Sequence, residues 1–511
     1  MSQNHNTHTL NRIKFTVIRI VLLGLIFSAV YTISPLYSSN QNTYFSYGLA
    51  RSGFGELSRD WFASTTDPFP LFSLLVAWTY SVFGQLPFYL YFILLCGVYI
   101  TSLMAIVTNV CGLDSKRERL AVLAIILAIH SRVVGEVLFK LLHLDITHPL
   151  YFGLADQYSI STILEPASFS VFFFASIAAL LSRRYYAGVI TACIAAWFHN
   201  CGPYIAIASF LCIMHIIAAY RDGSRKNIVP LTLLWIGCII PPVCYALVKF
   251  APTSAWNEAS AILALRLKNH ANPEIWLHAA AWFQIALIGV GLLILQRTRL
   301  FPAVALVAAF GAVFTIIQIV TDSNTLALAF PWRVSTILVP LSTCIVVGSI
   351  VRWLLGNSKK YARFKAGYCL VLIAILSIVG IAGTAVKFQR KQEDPARGVM
   401  KYARRTATAQ DTYLVPTSME KFRLWAGVPI FVDIKSVPFK DTEVLEWNYR
   451  IKLAKAFYAD SNTVNEEKLV RLSDKYKITH VVLPAKQKTG SLLKTVYSDS
   501  NFKVCVVSAN Q

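Results

Sequence analysis

The chain has 511 residues, of which 56% are hydrophobic and only 14% are charged. Because a water-soluble domain carries about 25% charged residues, this composition excludes an ordinary soluble protein and predicts an α-helical polytopic membrane protein. Lysine and arginine outnumber aspartate and glutamate by 48 to 26. No basic tract is interleaved with aromatic residues as in a nucleic-acid groove. We therefore expect no nucleic-acid partner and attribute the excess to membrane lipids and the positive-inside bias.

Eleven apolar runs come close to the length of about 20 residues that a helix needs to cross a bilayer. The first follows a polar and then basic N-terminus and shows no small-residue cleavage site, so we expect an uncleaved span. We predict about 11 transmembrane helices, at residues 15–34, 86–110, 119–138, 166–182, 185–201, 203–220, 228–249, 279–296, 300–320, 334–351 and 367–386.

The basic connections between these runs determine the predicted orientation. They lie at residues 115–119, 182–184, 221–226, 296–299 and 352–365. All of them can face the cytoplasm, together with the N-terminus, only if the apolar run 69–83 does not cross the membrane. That run would form about 22 Å of helix, against a hydrocarbon core of about 30 Å. We predict a helix in the outer interface that begins at Pro70 and ends at Gly84.

The same alternation predicts which segments lie outside: residues 35–85, 139–165, 251–278, 321–333 and the chain after about 388. The predicted domains are a transmembrane domain, residues 1–387, with a first external loop at 35–85, and an extracytoplasmic domain, residues 388–511. Basic inner loops and an external domain with the single cysteine Cys505 are typical of a bacterial inner-membrane protein.

The composition of the C-terminal domain changes to that of a soluble protein. Segments rich in Val and Ile alternate with segments of helical character, which predicts a small α/β domain with a mainly parallel sheet. The strands are expected at residues 411–416, 428–433, 479–484 and 502–509.

The first external loop contains three carboxylates, Glu56, Asp60 and Asp67. A carboxylate held at a membrane face can accept the proton of an attacking hydroxyl group, and Asp60 is the first candidate for this role. The alternatives are structural: Asp60 could cap a helix or pair with Arg59, and Asp67 could form an Asx-turn before Pro68.

Among the cations of the predicted external segments, where the positive-inside bias does not place them, three are candidates for binding a ligand: Arg266, Lys268 and Arg333. Arginine presents a planar fork that matches phosphate oxygens, so these residues could bind the phosphate of a lipid carrier, with Arg333 as the first candidate. The alternative is that they reach toward lipid headgroups without a specific ligand.

Further polar residues could line a cavity or contact an acceptor. Glu165 and His199 lie at the outer ends of spans, where a hydrogen-bonded helix end is the alternative for His199. In the C-terminal domain the candidates are Arg423, Lys435, Glu446 and Arg450, although an ordinary solvated face with Trp447 in the core explains them equally well. The His and Asp residues of loop 139–165 match no metal-site spacing. We expect no cofactor, and the sequence gives no support for a divalent metal.

The segments "NTYFSYGLARSGFGELSRDWFASTTDPFPLFSLLV", "QYSISTILEPASFSVFFF" and "FPWRVSTILVPLS" resemble those of bacterial members of the GT-C superfamily of membrane glycosyltransferases. The predicted architecture is also similar to theirs. The resemblance implies inverting transfer of a sugar from a polyprenyl-phosphate donor to an external glycan, lipid or protein acceptor. It implies Asp60 as the catalytic aspartate.

This sequence departs from the family where many members show two acidic residues close together. Glu56 or Asp67 would have to supply a second carboxylate. No WWDxG-type signature occurs, so transfer to protein asparagine is not expected. The alternatives are a glycolipid transporter or flippase, an O-antigen polymerase or ligase, and an envelope scaffold. The ionisable residues cluster at outer helix ends rather than deep within spans, which favours an externally facing enzyme over a transporter.

Overall fold

The computed structural model describes residues 2–357, 365–459 and 463–508, with side chains from Lys14 onward except that of Asn357. Three parts of the sequence predictions lie outside these described parts: residues 358–364 of the predicted basic connection, residue 509 of the last predicted strand and the Arg12 side chain. The chain forms two compact units. The helical unit comprises residues 1–33, 88–245 and 264–386, and the mixed unit comprises residues 34–87, 246–263 and 387–511. The first loop therefore belongs to the same unit as the C-terminal residues.

The prediction of a helical polytopic membrane protein with a small C-terminal α/β domain is confirmed. Among the described residues, seven helices are long and apolar enough to cross a membrane: Lys14–Tyr31, Pro87–Cys111, Gly202–Arg221, Arg225–Lys249, Phe301–Thr321, Asn324–Gly356 and Ala366–Gln392. An eighth span is formed if Lys116–His130 and Arg132–Leu142, which meet at 67°, count as one. The remaining predicted spans form shorter apolar helices, Pro166–Leu181, Tyr185–Phe198 and Ala279–Leu295.

Within the helical unit, the basic connections meet one another. Three of the connections meet at the Asp222 carboxylate. Arg183 lies 3.5 Å from this group, and Arg299 pairs with it. Arg352 pairs with Glu118 at 3.0 Å and joins two more. Connections on one side of a membrane can meet in this way, so the contacts agree with the common side predicted for them.

Segments predicted to lie on the opposite side also meet. One cluster of the helical unit contains Leu154, Trp276 and Trp332, which come from three different predicted external segments. The indole rings of Trp276 and Trp332 lie 4.8 Å apart between centroids. Short helices carry these segments, at His148–Tyr151, Lys268–Ala271, Pro273–Trp276 and Asn324–Ala329.

The mixed unit begins with two helices, Gln41–Arg51 and Pro70–Phe83. They pack closely at Gly48, where an added Cβ would lie 2.6 Å from the carbonyl oxygen of Ser73. The second helix begins and ends as predicted, with Pro70 in its first turn and Gly84 at φ +72° after its end. One face of this helix is buried, and the other exposes more than half of Leu74, Trp78 and Val82. An exposed apolar stripe of this kind suits a helix in a membrane interface.

Within the described residues, the sheet of the mixed unit has four strands, β1 (Tyr413–Leu414), β2 (His480–Pro484), β3 (Leu493–Ser498) and β4 (Phe502–Val507), in the order β1-β2-β4-β3. Only β1 and β2 are parallel; β4 runs antiparallel to β2 and β3. The prediction of a mainly parallel sheet is therefore wrong. Asp499 accepts hydrogen bonds from the backbone N–H groups of Asn501 and Phe502. This tight turn forces β3 and β4 into a hairpin.

The predicted strand 428–433 is not a strand: Ile430 forms only an isolated bridge with Tyr413. The sheet is covered on both faces. Val481 and Cys505 point to a cluster with the helices Asp441–Phe457 and Glu466–Tyr476, whereas Val482 and Val504 point to the helix Arg397–Thr406. This alternation is what a strand with two buried faces requires.

The first loop and the C-terminal residues touch at two glycines. Gly55 has φ +54°, and a Cβ there would lie 2.1 Å from the carbonyl oxygen of Gly427. The same carbonyl accepts a hydrogen bond of 2.8 Å from the backbone N–H of Glu56. Only glycine allows this close approach of the two backbones.

Candidate functional site

A buried arginine joins the first loop of the mixed unit to its C-terminal residues. Arg423 donates to Asp60 through Nε at 3.0 Å, and through Nη1 to Asp433 and to the Ser436 hydroxyl at 2.8 Å. The three charged side chains are at most 1% exposed. Burial alone would lower the pKa of Arg423, but the two carboxylates raise it above its ordinary value.

Asp60 has both carboxylate oxygens occupied. In addition to the hydrogen bond from Arg423, it accepts hydrogen bonds from the backbone N–H groups of Ala63 and Ile430, each at 3.0 Å. Asp60 is 0% exposed. The sequence predicts Asp60 as the first candidate for the base, with a helix cap or a pair with Arg59 as the structural alternatives. The structure places Asp60 in the interior, where its bond from Ala63 is that of a cap, and Arg59 instead donates to the carbonyl of Ala409 at 2.7 Å. The contacts give Asp60 a structural role, since they hold the loop to the C-terminal residues.

Asp67 lies just before the helix Pro70–Phe83 and is 5% exposed. One oxygen accepts from the backbone N–H of Phe69 at 3.0 Å, which is the Asx-turn considered above, and the other lies 2.8 Å from the guanidinium of Arg51. Burial raises the pKa of Asp67 above its ordinary value, although hydrogen bonding by Ser73 and the charge of Arg51 oppose the shift. A buried carboxylate with a raised pKa is suited to general base catalysis.

A second carboxylate near Asp67 comes from Glu443, which the sequence analysis missed. Glu443 accepts from the backbone N–H and the hydroxyl of Thr66, at 2.9 and 2.8 Å. Its Oε2 is buried and has no hydrogen-bond partner within the described parts of the chain. Glu56, which we considered for this role, is half-buried, and its carboxylate forms no ion pair with any described residue. No local pattern could have indicated Glu443, because 377 residues separate it from Thr66.

The other candidates of the mixed unit lie around the segment 431–436. Arg450 lies 4.2 Å from the ring centroid of Trp61 and donates to Glu446 at 2.8 Å. The backbone N–H of Lys435 donates to Asp433 at 2.9 Å. Trp447 is buried, as the structural alternative predicted. Arg423, Lys435, Glu446 and Arg450 thus belong to one region, which packs largely against the first loop.

In the helical unit, Arg333 lies at the start of a long apolar helix and is half-buried. Its Nε donates to the side-chain oxygen of Gln157 at 2.8 Å, and its Nη1 lies 3.4 Å from Nε2 of His199. The structure therefore brings together Arg333 and His199, which the sequence placed in separate segments. Gln157 was not among the predicted residues. It fixes the orientation of the guanidinium while leaving part of it exposed.

The remaining candidates of the helical unit have different surroundings. Glu165 is 1% exposed, accepts from the Ser161 hydroxyl at 2.9 Å and caps the turn Pro166–Ser170. These bonds offset the cost of burying it. Lys268 is exposed and Arg266 half-buried, and His270, between them and Trp276, lies 2.7 Å from the carbonyl oxygen of Ala155. Their segment thus packs near that of Arg333.

The side chain of His148 is paired with a carboxylate of its own loop. His148 lies 3.8 Å from the carboxylate of Asp156, and its backbone N–H donates to Asp145 at 3.0 Å. Within residues 2–357, 365–459 and 463–508, no group of three His, Cys, Asp or Glu side chains converges in a way that could hold a metal ion.

Comparison with known proteins gives one family match, described as "Domain of unknown function (DUF6798)", over residues 395–454. No curated protein matches the sequence. The chain is similar to ArnT from Cupriavidus metallidurans bound to undecaprenyl phosphate, at 10% identity and a TM-score of 0.48 over 97% of this chain and 98% of that one. The apo structure of the same ArnT gives 9% identity and 0.48, over 98% and 99%.

Proposed function

We propose that the chain is a membrane glycosyltransferase that moves a sugar from a polyprenyl-phosphate donor to an extracytoplasmic acceptor, with inversion at the anomeric carbon. The observation that carries this proposal is Asp67, a buried carboxylate of raised pKa that immediately precedes a helix with an exposed apolar face. Asp67 differs from Asp60 in its ion-pair partner: Arg51 is 43% exposed, so its displacement would open the Asp67 carboxylate to an acceptor hydroxyl at the surface of a membrane.

In the proposed reaction, the acceptor hydroxyl gives its proton to Asp67 as its oxygen bonds to the anomeric carbon. The bond from that carbon to the phosphate oxygen breaks, and its electron pair leaves with the polyprenyl phosphate. Arg333, in the helical unit, is a separate proposal: we expect its guanidinium to contact the phosphate of a polyprenyl-phosphate lipid. Asp60 supports the loop that carries the base and is not itself the base.

Arg333 provides a direct test of the donor. We expect Arg333→Gln to weaken the binding of polyprenyl phosphate about tenfold or more, because a charge-assisted contact to phosphate is lost. Native mass spectrometry of the purified full-length protein measures this binding. Arg132→Gln, which removes an exposed arginine that is paired with Glu136, is the matched control and should leave binding unchanged. If Arg333→Gln binds polyprenyl phosphate as tightly as the wild type, or if phosphatidylglycerol competes for the protein as well as polyprenyl phosphate does, the result would favour unspecific contact with lipid headgroups.

We also propose that the mixed unit lies outside the cytoplasm and that the N-terminus lies inside. The proposal rests on the five basic connections, which the positive-inside bias assigns to the cytoplasm. In a variant without native cysteines, Ser58→Cys in intact bacteria should react with a membrane-impermeant thiol reagent, and Lys226→Cys should react only after the membrane is broken. The reverse pattern would show that the orientation is inverted.

A further inference from the structure

The mixed unit contains a second site, a cavity of about 320 Å³ whose lining includes four cations: Lys391, Arg397, Lys401 and Arg404. Three of these cations come from two successive turns of one helix, Arg397–Thr406, whose opposite face buries Val399 and Ala403 against the sheet. The cations therefore stay on the outer face because the apolar face fixes the rotation of the helix.

In the parts of the chain that the structure describes, no carboxylate lies within ion-pair distance of any of the four cations, so no described ion pair neutralises the charge of this cavity. The nearby Asp394 is paired with Lys421 at 2.8 Å. Four like charges around one cavity repel one another, so an anion bound between them would relieve a cost that the folded protein carries.

Two aromatic rings form part of the wall and hold one cation in place. The indole N–H of Trp425 donates to the carbonyl of Tyr37 at 3.1 Å. Lys391 donates to the carbonyl of Leu36 at 3.0 Å and lies 4.8 Å from the ring centroid of Trp425. Arg404 lies 5.5 Å from the ring centroid of Phe54. A cavity with a positive rim and aromatic and aliphatic walls fits a phosphate ester better than a bare ion, because the ester also carries carbon groups.

Two features of the chain around the cavity agree with a position at the depth of lipid headgroups. Gln85, in its wall, follows the helix Pro70–Phe83, whose exposed face includes Trp78 and Phe83, more than half exposed. Lys391 is in the last turn of Ala366–Gln392, a helix apolar enough to cross a membrane. Headgroup phosphates occupy the boundary at which such helices end.

We propose that this cavity binds a phosphate ester, supplied by the headgroup of an anionic membrane lipid. The site is distinct from the proposed donor site at Arg333, and it does not depend on glycosyl transfer. A lipid bound there anchors the mixed unit to the membrane surface through its phosphate.

The test compares two neighbouring arginines of one helix. Arg404 lines the cavity, whereas Arg405, which is also exposed, does not. The purified full-length protein in neutral detergent is titrated with short-chain phosphatidylglycerol, with phosphatidylcholine or with pyrophosphate, and the Tm gives the apparent affinity. We expect phosphatidylglycerol to raise the Tm. We expect Arg404→Gln and Lys401→Gln each to weaken its binding about tenfold, and Arg405→Gln to change it little.

The outcomes separate the sources of the phosphate. Stabilisation by phosphatidylglycerol but not phosphatidylcholine, with the predicted difference between the variants, supports the lipid site. If only pyrophosphate raises the Tm, with the same difference between the variants, the cavity would still bind phosphate but the assignment to a lipid would be overturned. If Arg404→Gln and Arg405→Gln lose the same amount of binding affinity, or if neither phosphatidylglycerol nor pyrophosphate raises the Tm, the site itself would be overturned. Arg404→Lys, which keeps the charge, should retain part of the binding and controls for a change in folding.

Discussion

Replacing Arg423 by alanine will destabilise the mixed unit by about 3–5 kcal/mol, because removal of one partner leaves two buried carboxylates without a counter-charge. Asp60 and Asp433 are both 0% exposed, so water cannot compensate. Chemical unfolding of the full-length protein, followed by the near-ultraviolet signal of its tryptophans, measures the loss. Limited proteolysis of residues 34–87 gives an independent measurement.

Two variants control this experiment. Arg423→Lys keeps the charge but loses the planar fork that reaches both carboxylates, so we expect an intermediate loss. Arg59→Ala removes a neighbouring exposed arginine of the same loop and should cost about 1 kcal/mol or less. If Arg423→Ala and Arg59→Ala unfold at the same denaturant concentration, the buried network does not hold the unit together.

Replacing Asp67 by asparagine will lower the rate of sugar transfer about 10²–10⁴-fold, the usual contribution of a general base. The fold should persist, because asparagine can still accept the hydrogen bond from Phe69. Asp60→Asn gives the contrast: it weakens the pair with Arg423 and should reduce stability. Transfer kinetics and unfolding measured on both variants separate the two roles. A fully active Asp67→Asn protein would show that Asp67 is not the general base.

The raised pKa of Asp67 gives this prediction a pH dependence. A carboxyl group whose pKa is raised on folding contributes stability at low pH and loses that contribution as the pH rises through the raised value. Once ionised, Asp67 therefore costs stability, and Asp67→Asn should be at least as stable as the wild type, increasingly so as the pH rises through that range. The kcat/KM of the wild type should rise over the same range, and this limb should be lost in the variant.

The local features of the fold could be predicted from the sequence because short-range physics determines them. Pro70 and Gly84 mark the ends of a helix through their backbone preferences, and the structure places the helix between them. The charge bias of the connections predicted which of them share a side, and the contacts of Asp222 and Arg352 agree.

The candidate site could be predicted only in part, because its contacts join distant residues. Asp60 was predicted as a functional carboxylate, but its pairing with Arg423 spans 363 residues, and no local pattern carries that information. The hydrogen bonds between Glu443 and Thr66 also join residues that are far apart in the sequence. Strand β3 was missed for a different reason: Lys494, Thr495 and Val496 are exposed, so the segment lacks the apolar run that was used to find strands.

The central claim is transfer of a sugar from a polyprenyl-phosphate donor, and release of the lipid product tests it most directly. The purified protein is incubated with polyprenyl-phosphate-linked sugars and a glycan or lipid acceptor fraction from bacterial membranes, and free polyprenyl phosphate is measured over time. The account predicts release by the wild type and by Arg405→Gln, and its loss in Asp67→Asn. Release that is equally fast in Asp67→Asn, or no release by a folded wild-type protein across such donors, would contradict it.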